Sequence, residues 1–525
     1  MRILRTLGMM VVALVLAIVP VHAQDAEVAP LRVGMEVNYA PFNWSQSTDA
    51  NGAVPVANSP GEYANGYDVQ MAKSLAEKLG RPVEIQKIEW DGLLPALTSG
   101  KIDAIIAGMS PTAERKEVID FTENYYTSDI VLVVQKAGQY AGATALSDFD
   151  GAKITAQLNT FHYTLVDQIP NVNKQTAMDA FPTMITALKA GSIDGYVSER
   201  PGALAATMAD ADLAMVEFAE GQGFEASPED TSIAVGVAKN SPLLAALNEA
   251  LAQIPEETRQ ETMDNMVALQ SNPDAEQTDD AGFFATVASI WSEYNGLFLR
   301  GMLVTLLISI LGTAFGLVIG FIVQVVRSIP TKRKSGPSKW VIRFFQILGT
   351  CYVELFRSTP MIVQAMLIYY GSKQFLGVDM NALFAAVLIV SINTGAYLAE
   401  TIRGGIDAVD VGQFEASHAI GLTHSQKMRH VILPQAMRAI LPSIGNELIV
   451  NIKDTSVLNV ISVTELFFVT KSVAGSTFQI FQAYFIVAII YFILTRVANF
   501  LVRLLGKQVN GDSRFSMQSA TGQGA

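Results

Sequence analysis

The residue types best suited to chemistry in this chain lie in its first half, and they point to capture. The segment Gly108-Met109-Ser110-Pro111-Thr112-Ala113-Glu114-Arg115 supplies a glycine turn, a hydroxyl and an arginine. A guanidinium holds a carboxylate through two parallel N–H donors. Glu199 follows the apolar run Ile193–Val197 and offers the opposite charge, suited to an ammonium group. Tyr39 and Trp90 supply flat surfaces able to sandwich a side chain. A fixed cation, a fixed anion and a dry aromatic wall are what a small zwitterion, such as a free amino acid, requires. Taken singly, each residue also has an ordinary structural use: Tyr39 or Trp90 in a core, Arg115 in a surface ion pair, Glu199 as a solvated charge.

Two further groups lie in the second half. Glu415 to Pro434 (EASHAIGLTHSQKMRHVILP) is a polar island between strongly apolar stretches. Glu415–Ile420 predicts a short helix ended by Gly421, a residue that enters the left-handed region at little cost. Thr423 with Gln426 predicts a capping box opening a second helix, and Lys427, Arg429 and His430 load its later turns with positive charge. Pro434 suits the first turn of the helix that follows. Such a helix–turn–helix is too rigid for a connector and too polar for lipid, which marks it as a docking surface. Lys453 and Asp454 stand in an apolar segment, where charges are costly and face a partner or a water path. They fit either a translocation pathway or an ion pair stabilising a bundle.

The elements that must position these groups follow from the pattern of the whole chain. Of 525 residues, 50% are hydrophobic and only 16% charged, too apolar for a purely soluble protein. The net charge of −13, with no basic-aromatic stretch, argues against a nucleic-acid partner. The lone cysteine, Cys351, excludes an intramolecular disulfide. Residues 1–23 carry Arg2 and Arg5, the apolar run Leu7–Val19 and the small-residue site Val21-His22-Ala23, which predicts a secretory signal peptide, with a retained anchor helix as the alternative. Either places the following residues outside the membrane.

Residues 30–268 alternate short apolar strands (Leu31–Met35, Val83–Ile88, Ala104–Ala107) with helical stretches (Val69–Leu79, Gly92–Thr98), the pattern of parallel sheets. The similar runs Val131–Lys136 and Ala234–Lys239 flank a segment with its own alternation. This predicts two lobes, the first about 30–134 and 231–268, the second about 135–230, joined by a hinge and closing on a ligand. Residues 269–282 form a linker, whose polar, acidic stretch Gln270–Ala281 reaches roughly 40 Å when extended.

Residues 283–508 are mainly apolar. Spans are expected at Leu297–Val326, at Val341–Tyr370 with an interruption at Arg357–Pro360, at Ala382–Ile402, from Pro434, and at Ile480–Leu505. Arg327, Lys332, Arg333, Lys334, Lys339 and Arg343 follow the first span without an acid among them and place that connector in the cytoplasm. The docking loop then lies inside as well. Residues 509–525 read as a polar tail.

Several of these stretches carry a family resemblance. The polar island is similar to the cytoplasmic coupling loop of bacterial ABC-importer permeases, with Glu415, Ala416, Gly421, Leu433 and Pro434 in register. Ser417 replaces a second Ala of that pattern and Val431 an Ile. Tyr352–Pro360 and Lys453–Ser456 resemble the amino-acid-importer branch. Asn38–Trp44, Gly66–Asp68, Glu89–Ala96 and Gly100–Tyr126 are similar to the polar amino-acid-binding proteins of such importers, of the glutamine, histidine and arginine type.

The resemblance implies a two-lobed α/β fold of the type II periplasmic-binding class, followed by an all-α transmembrane domain of about five helices. It implies an aromatic clamp from Tyr39 and Trp90, contacts from the Gly108 carbonyl and the Ser110 hydroxyl, and a carboxylate anchor at Arg115. It adds Thr160 as a further carboxylate contact from the second lobe, and Glu199 at the ammonium position, where many members carry Asp. Two departures stand out. Ser45–Ala64 is longer and richer in Gly, Pro and Asn than the usual hairpin, which predicts a remodelled lip of the cleft. Gln157 and Phe161 stand where relatives vary with substrate.

The function implied is the capture and membrane passage of a polar amino acid, glutamine first, by an importer subunit of the bacterial inner membrane. No G-x-x-x-x-G-K-[ST] loop occurs in the chain. No cofactor or metal is therefore expected on it, and ATP is expected on a separate ABC ATPase dimer docked at the cytoplasmic loop of a permease homodimer set in lipid. A glutamate-receptor-type channel would insert its spans between the lobes, whereas here every span follows the completed domain. A lytic transglycosylase would need a soluble catalytic domain after the linker, and a transmembrane sensor a cytoplasmic output domain.

Overall fold

The computed structural model describes residues 28–270, 282–330 and 337–510. The expected signal segment, most of the linker and the C-terminal tail lie outside the described residues.

Residues 31–268 fold as two α/β lobes. The sheet of lobe one runs in the order Val83–Lys87, Leu31–Met35, Ala104–Ile105, Ser232–Ala238, Ile119–Thr127. Its first three strands are parallel, as helical crossovers require, and Ser232–Ala238 runs antiparallel to both of its neighbours. Leu31, Val33 and Met35 are fully buried on one face of their strand, and Ser232–Val237 is buried at every position, so that central strand packs on both faces and reads as a near-continuous apolar run. The sheet of lobe two runs Asn173–Lys174, Lys153–Thr155, Gly195–Glu199, Ile130–Gln135, Leu213–Val216.

Ile130–Gln135 pairs throughout with Gly195–Glu199 and therefore belongs to lobe two. The outward crossing falls at Ser128–Asp129, several residues before the expected boundary at 134. An apolar run looks the same on either side of a hinge; only pairing assigns it.

The Ser45–Ala64 insertion also departs from expectation. Asn43–Gln46, Val54–Pro55 and Tyr63–Asn65 join Asn38–Tyr39 in a small antiparallel sheet. Its tip does not rim the cleft. It meets the helical domain, where Thr464 Oγ1 donates to the Asn58 carbonyl at 3.1 Å.

Among the described residues, three helices are long and apolar enough to cross a membrane: Phe283–Arg327, Ala382–Asp407 and Ile480–Leu504. A fourth crossing is available if His424–Ile461 and Leu466–Thr477, bent by 60°, act as one broken span. The expected second span is instead two helices, Pro337–Ser358 and Met361–Leu376. Pro360 separates them, since it lacks an N–H and its ring clashes with a preceding turn. Lys339, Arg343, Glu354 and Arg357 make the first of the two too charged to stand with the other apolar spans.

Helix Phe283–Arg327 has 45 residues and is about 68 Å long at roughly 1.5 Å per residue, twice the hydrocarbon thickness. Its first half therefore projects toward the binding domain. Its second half packs along Ala382–Asp407 through Gly312, Gly316 and Gly320, which face Val390, Thr394 and the backbone of Gly395 and Ala399. Lipid supplies no hydrophobic drive between helices, so small residues that permit backbone contact take over. Asn451 ties a third helix to this pair, donating to Thr313 Oγ1 at 2.8 Å and accepting from Thr394 Oγ1 at 3.1 Å.

A Cβ at Gly320 would lie 2.8 Å from the Ala399 amide nitrogen and 2.9 Å from the Gly395 carbonyl oxygen, both backbone atoms that cannot rotate away. Gly320→Leu is expected to cost at least the 1–3 kcal/mol, roughly, of an overpacked core. Thermal unfolding of the detergent-solubilised chain checks this against Gly404→Ala, where nothing lies within 4 Å. The first should lower the midpoint and the second leave it or raise it.

Candidate functional site

Tyr39, Trp90, Gly108, Ser110, Arg115, Thr160 and Glu199 all line one cavity between the lobes, with Ala107, Gln157, Phe161, His162 and Phe181. Each owes its place to a local device. Trp90 opens helix Trp90–Thr98. Gly108 turns the chain after Ala104–Ile105 with φ +62°, and a Cβ there would crowd Tyr39 Cε1 at 3.3 Å. Arg115 lies in helix Ala113–Val118, whose first turn is capped by the Thr112 hydroxyl. Glu199 ends the strand Gly195–Glu199 and precedes helix Arg200–Ala209. Lobe one thus presents the cation and lobe two the anion.

Arg115 Nη1 donates to the Ser110 carbonyl at 2.9 Å and Nη2 to the Asn159 carbonyl of lobe two at 3.0 Å. The guanidinium lies 5.1 Å from the Trp90 ring centre. Burial lowers its pKa to about 10, with Glu199 opposing, so it stays charged at neutral pH. Asn159 also reaches back across the cleft, donating from Nδ2 to Asp91 Oδ1 at 2.7 Å.

Glu199 is buried, which by itself would raise its carboxyl; His162 and then Tyr39 outweigh this and hold it below the ordinary value. The Tyr39 hydroxyl donates to Glu199 Oε2. His162 Nε2 lies 3.1 Å from Glu199 Oε1, without hydrogen-bond alignment. The expected sandwich is altered. Trp90 stacks on Arg115, and the ring facing Tyr39 is Phe181 of lobe two, with centres 4.2 Å apart and planes 7° from parallel. Thr160 Oγ1 donates to the Gln157 carbonyl at 2.7 Å, within the loop that carries His162.

Two buried acids support the site. Asp68 accepts from Tyr125 Oη at 2.6 Å and Asn43 Nδ2 at 2.8 Å, fixing the turn at Gly108. Burial pushes its carboxyl up to about 7. Glu36, directly after the strand Leu31–Met35, is 4% exposed with Oε1 unpartnered. Burial and then Glu89 push it up to about 8, against the pull of Lys471 and Gln157. Sequence reasoning missed Glu36, His162 and Phe181. For Glu36 the signal was available: like Glu199, it is a charge at the end of an apolar strand.

At the far end of the helical domain, helix Val411–Ala419 is capped by Asp410, turns at Gly421 with φ +77°, and is followed by a second helix opened by the Thr423–Gln426 capping box. Glu415, Ala416, Gly421 and Pro434 are exposed and Leu433 half-buried, beside the strongly exposed apolar Val411 and Ile420. Leu433 and Pro434 open the long helix Leu433–Asp454. Lys453 and Asp454, at its other end, are exposed and form no ion pair with each other among the described residues.

The raised carboxyls of Glu36 and Asp68 fix a pH trend. Between the ordinary carboxylate range and pH 7–8 the folded chain binds more protons than the unfolded one, so stability falls as pH rises through that window. The carboxyls of Glu62, Asp103 and Glu199, held below their ordinary values, act only at lower pH. The thermal midpoint of the full chain should be higher at pH 6 than at pH 8.5, and Glu36→Gln should flatten the difference.

Residues 31–266 match the family of bacterial extracellular solute-binding proteins, family 3. Residues 340–511 match the binding-protein-dependent transport system inner membrane component. The chain is 36% identical over 223 residues to the glutamine transport system permease protein GlnP of Escherichia coli, covering 42% of this chain and 96% of that one. To the arginine transport system permease protein ArtQ of Bacillus subtilis it is 31% identical over 214 residues, covering 41% and 93%. Similar solved structures include an amino acid ABC transporter substrate-binding protein, AbpA, from Streptococcus pneumoniae bound to L-arginine (24% identity, 46% and 97% covered, TM-score 0.39). Another is an ancestral arginine-binding protein bound to glutamine (31% identity, 47% and 97% covered, TM-score 0.36). With its binding domain completed before the first span and a permease domain alongside these relatives, the chain belongs to the inner-membrane permease family of amino-acid ABC importers, and carries a family 3 solute-binding domain fused to its N-terminal side.

Proposed function

We propose that the cleft captures a polar amino acid of the glutamine class and delivers it to a permease homodimer driven by a partner ATPase dimer. The observation that carries this is the convergence of Arg115 and Glu199 from opposite lobes on one cavity. Arg115, steadied by two carbonyls, offers its remaining donors to the carboxylate, with the Ser110 hydroxyl and Thr160 beside it. Glu199 exchanges the Tyr39 hydroxyl for the ligand ammonium. Tyr39 and Phe181 part to admit the side chain, which makes lobe opening the entry step.

The far end of the ligand meets Gln157, and the buried Glu36 stands behind that amide. A carboxyl neutral at pH 7 both donates and accepts, which matches a carboxamide; an ionised one prefers a cation. The relatives named for glutamine and for arginine fit the two states of one such group. The exposed helix pair around Glu415 and Gly421 is the surface offered to the ATPase, which supplies the ATP chemistry. Lys453 and Asp454 line the passage at the homodimer axis.

Isothermal titration of the full chain with L-glutamine tests the cleft. Arg115→Lys and Glu199→Gln should each weaken binding at least about 30-fold, the low end of losing one partner of a buried charge pair. Wild-type affinity in both variants would remove the reading. A second titration tests the side-chain end. The preference for L-glutamine over L-arginine should fall between pH 7 and pH 9 as Glu36 ionises, and Glu36→Gln should abolish that dependence.

A further inference from the structure

The binding domain rests on the outer end of the permease through two unequal sets of contacts, and lobe one makes the larger. Asn58 Nδ2 reaches the Ser462 carbonyl at 3.4 Å, beside the Thr464 contact already described. Lys101 pairs with Asp379 at 3.0 Å and stands 3.6 Å over the Tyr369 ring. Lys87, paired with Glu62 at 2.6 Å, lies 4.5 Å over the Phe468 ring. A Cβ on Gly475 would lie 2.9 Å from the Asn38 carbonyl oxygen, so permease helix Leu466–Thr477 meets lobe one backbone to backbone. None of these contacts involves the second lobe.

One side chain spans both lobes. Lys471 Nζ lies 2.6 Å from Glu89 Oε2 of lobe one and 3.2 Å from Asp179 Oδ2 of lobe two, with the lysine side chain only 10% exposed. An ammonium carries three donors and can serve both carboxylates, but only while the lobes hold them together. Rotation about the crossing at Ser128–Asp129 carries Asp179 away from Glu89 and leaves every lobe-one contact in place. A contact available only to the closed domain stabilises closure, and by reciprocity closure strengthens that contact.

We propose that lobe one is a standing foot, docked on its own permease through opening and closing alike, that lobe two alone moves, and that Lys471 is the positioning residue through which the permease senses closure. The domain then loads while seated. The proposal depends on the cleft reading above only for the choice of probe.

Electron paramagnetic distance measurements on the full chain in nanodiscs test it, in a Cys351→Ser background diluted with unlabelled chain. One label pair joins lobe one to the permease (Glu77→Cys with Val378→Cys), the other lobe two to the permease (Ala190→Cys with Val378→Cys); all three positions are exposed. With L-glutamine added, the second distance should shift and the first stay fixed. Lys471→Met should broaden the second distance toward its glutamine-free value even with glutamine present, and Lys471→Arg should restore it. Equal shifts in both pairs, or no effect of Lys471→Met, would overturn the proposal. If glutamine moved neither pair while Lys471→Met still changed the second, the docking scheme would stand and the choice of amino acid would fall.

Discussion

A carboxylate taken out of water costs several kcal/mol unless partners replace its hydration. Glu199 finds those partners on both sides of the cleft: the Tyr39 hydroxyl from lobe one, His162 from its own lobe. The anion is thus fully served only when the lobes meet. The rest of the cleft keeps Tyr39 where that meeting requires it. Phe42 and Phe181 flank its ring, and Gly108 and Gly202 stand where a Cβ would press on it at 3.3 Å and 3.0 Å. The Asp68–Tyr125–Asn43 network then holds the Gly108 turn from behind. In the ligand-free cleft this charge is met across the lobes alongside the Arg115–Asn159 and Asn159–Asp91 hydrogen bonds.

A single stretch of chain links the binding domain to the exposed helix pair around Glu415 and Gly421. From the exposed cytoplasmic helices it runs through Leu433–Asp454, a tight turn at Thr455–Ile461, and helix Leu466–Thr477 against the binding domain. Asn451 pins it to the two helices held together by Gly312, Gly316 and Gly320. Glu465 caps the last helix by accepting from the Phe468 amide at 2.7 Å. Asn451 and Glu465 thus brace this path on either side of the 60° bend that precedes Lys471.

Much of this was legible in the residues, for reasons that differ by region. The lobes could be read because strands buried on both faces give unbroken apolar runs, and the cleft because Arg115 and Glu199 stand at element ends, where side chains are free to converge. The helix pair at Glu415–Pro434 was legible through Gly421 and the Thr423–Gln426 spacing, both local signals. Long-range matters were not. The lobe boundary is set by which sheet Ile130–Gln135 joins, the partner of Tyr39 by a ring more than a hundred residues away, and the use of the insertion by a permease turn beyond residue 460. The interruption at Arg357–Pro360 was visible because its cause is local, a proline that cannot continue the helix.

The fusion changes what the docking contacts must supply. A free binding domain has to find its permease, and the association entropy must come from the interface itself, on the order of 4–15 kcal/mol. A covalent connection holds the two at an effective concentration on the order of millimolar, so contacts worth a few kcal/mol suffice. The seam has that character: carbonyl hydrogen bonds, an ion pair whose Asp379 side chain is 46% exposed, a lysine over a ring. Contacts this modest can be made and broken within a transport cycle. Among the ion pairs of this seam the one reaching lobe two from Lys471 is the one that depends on closure, which lets a single lysine weigh on whether the cleft stays shut.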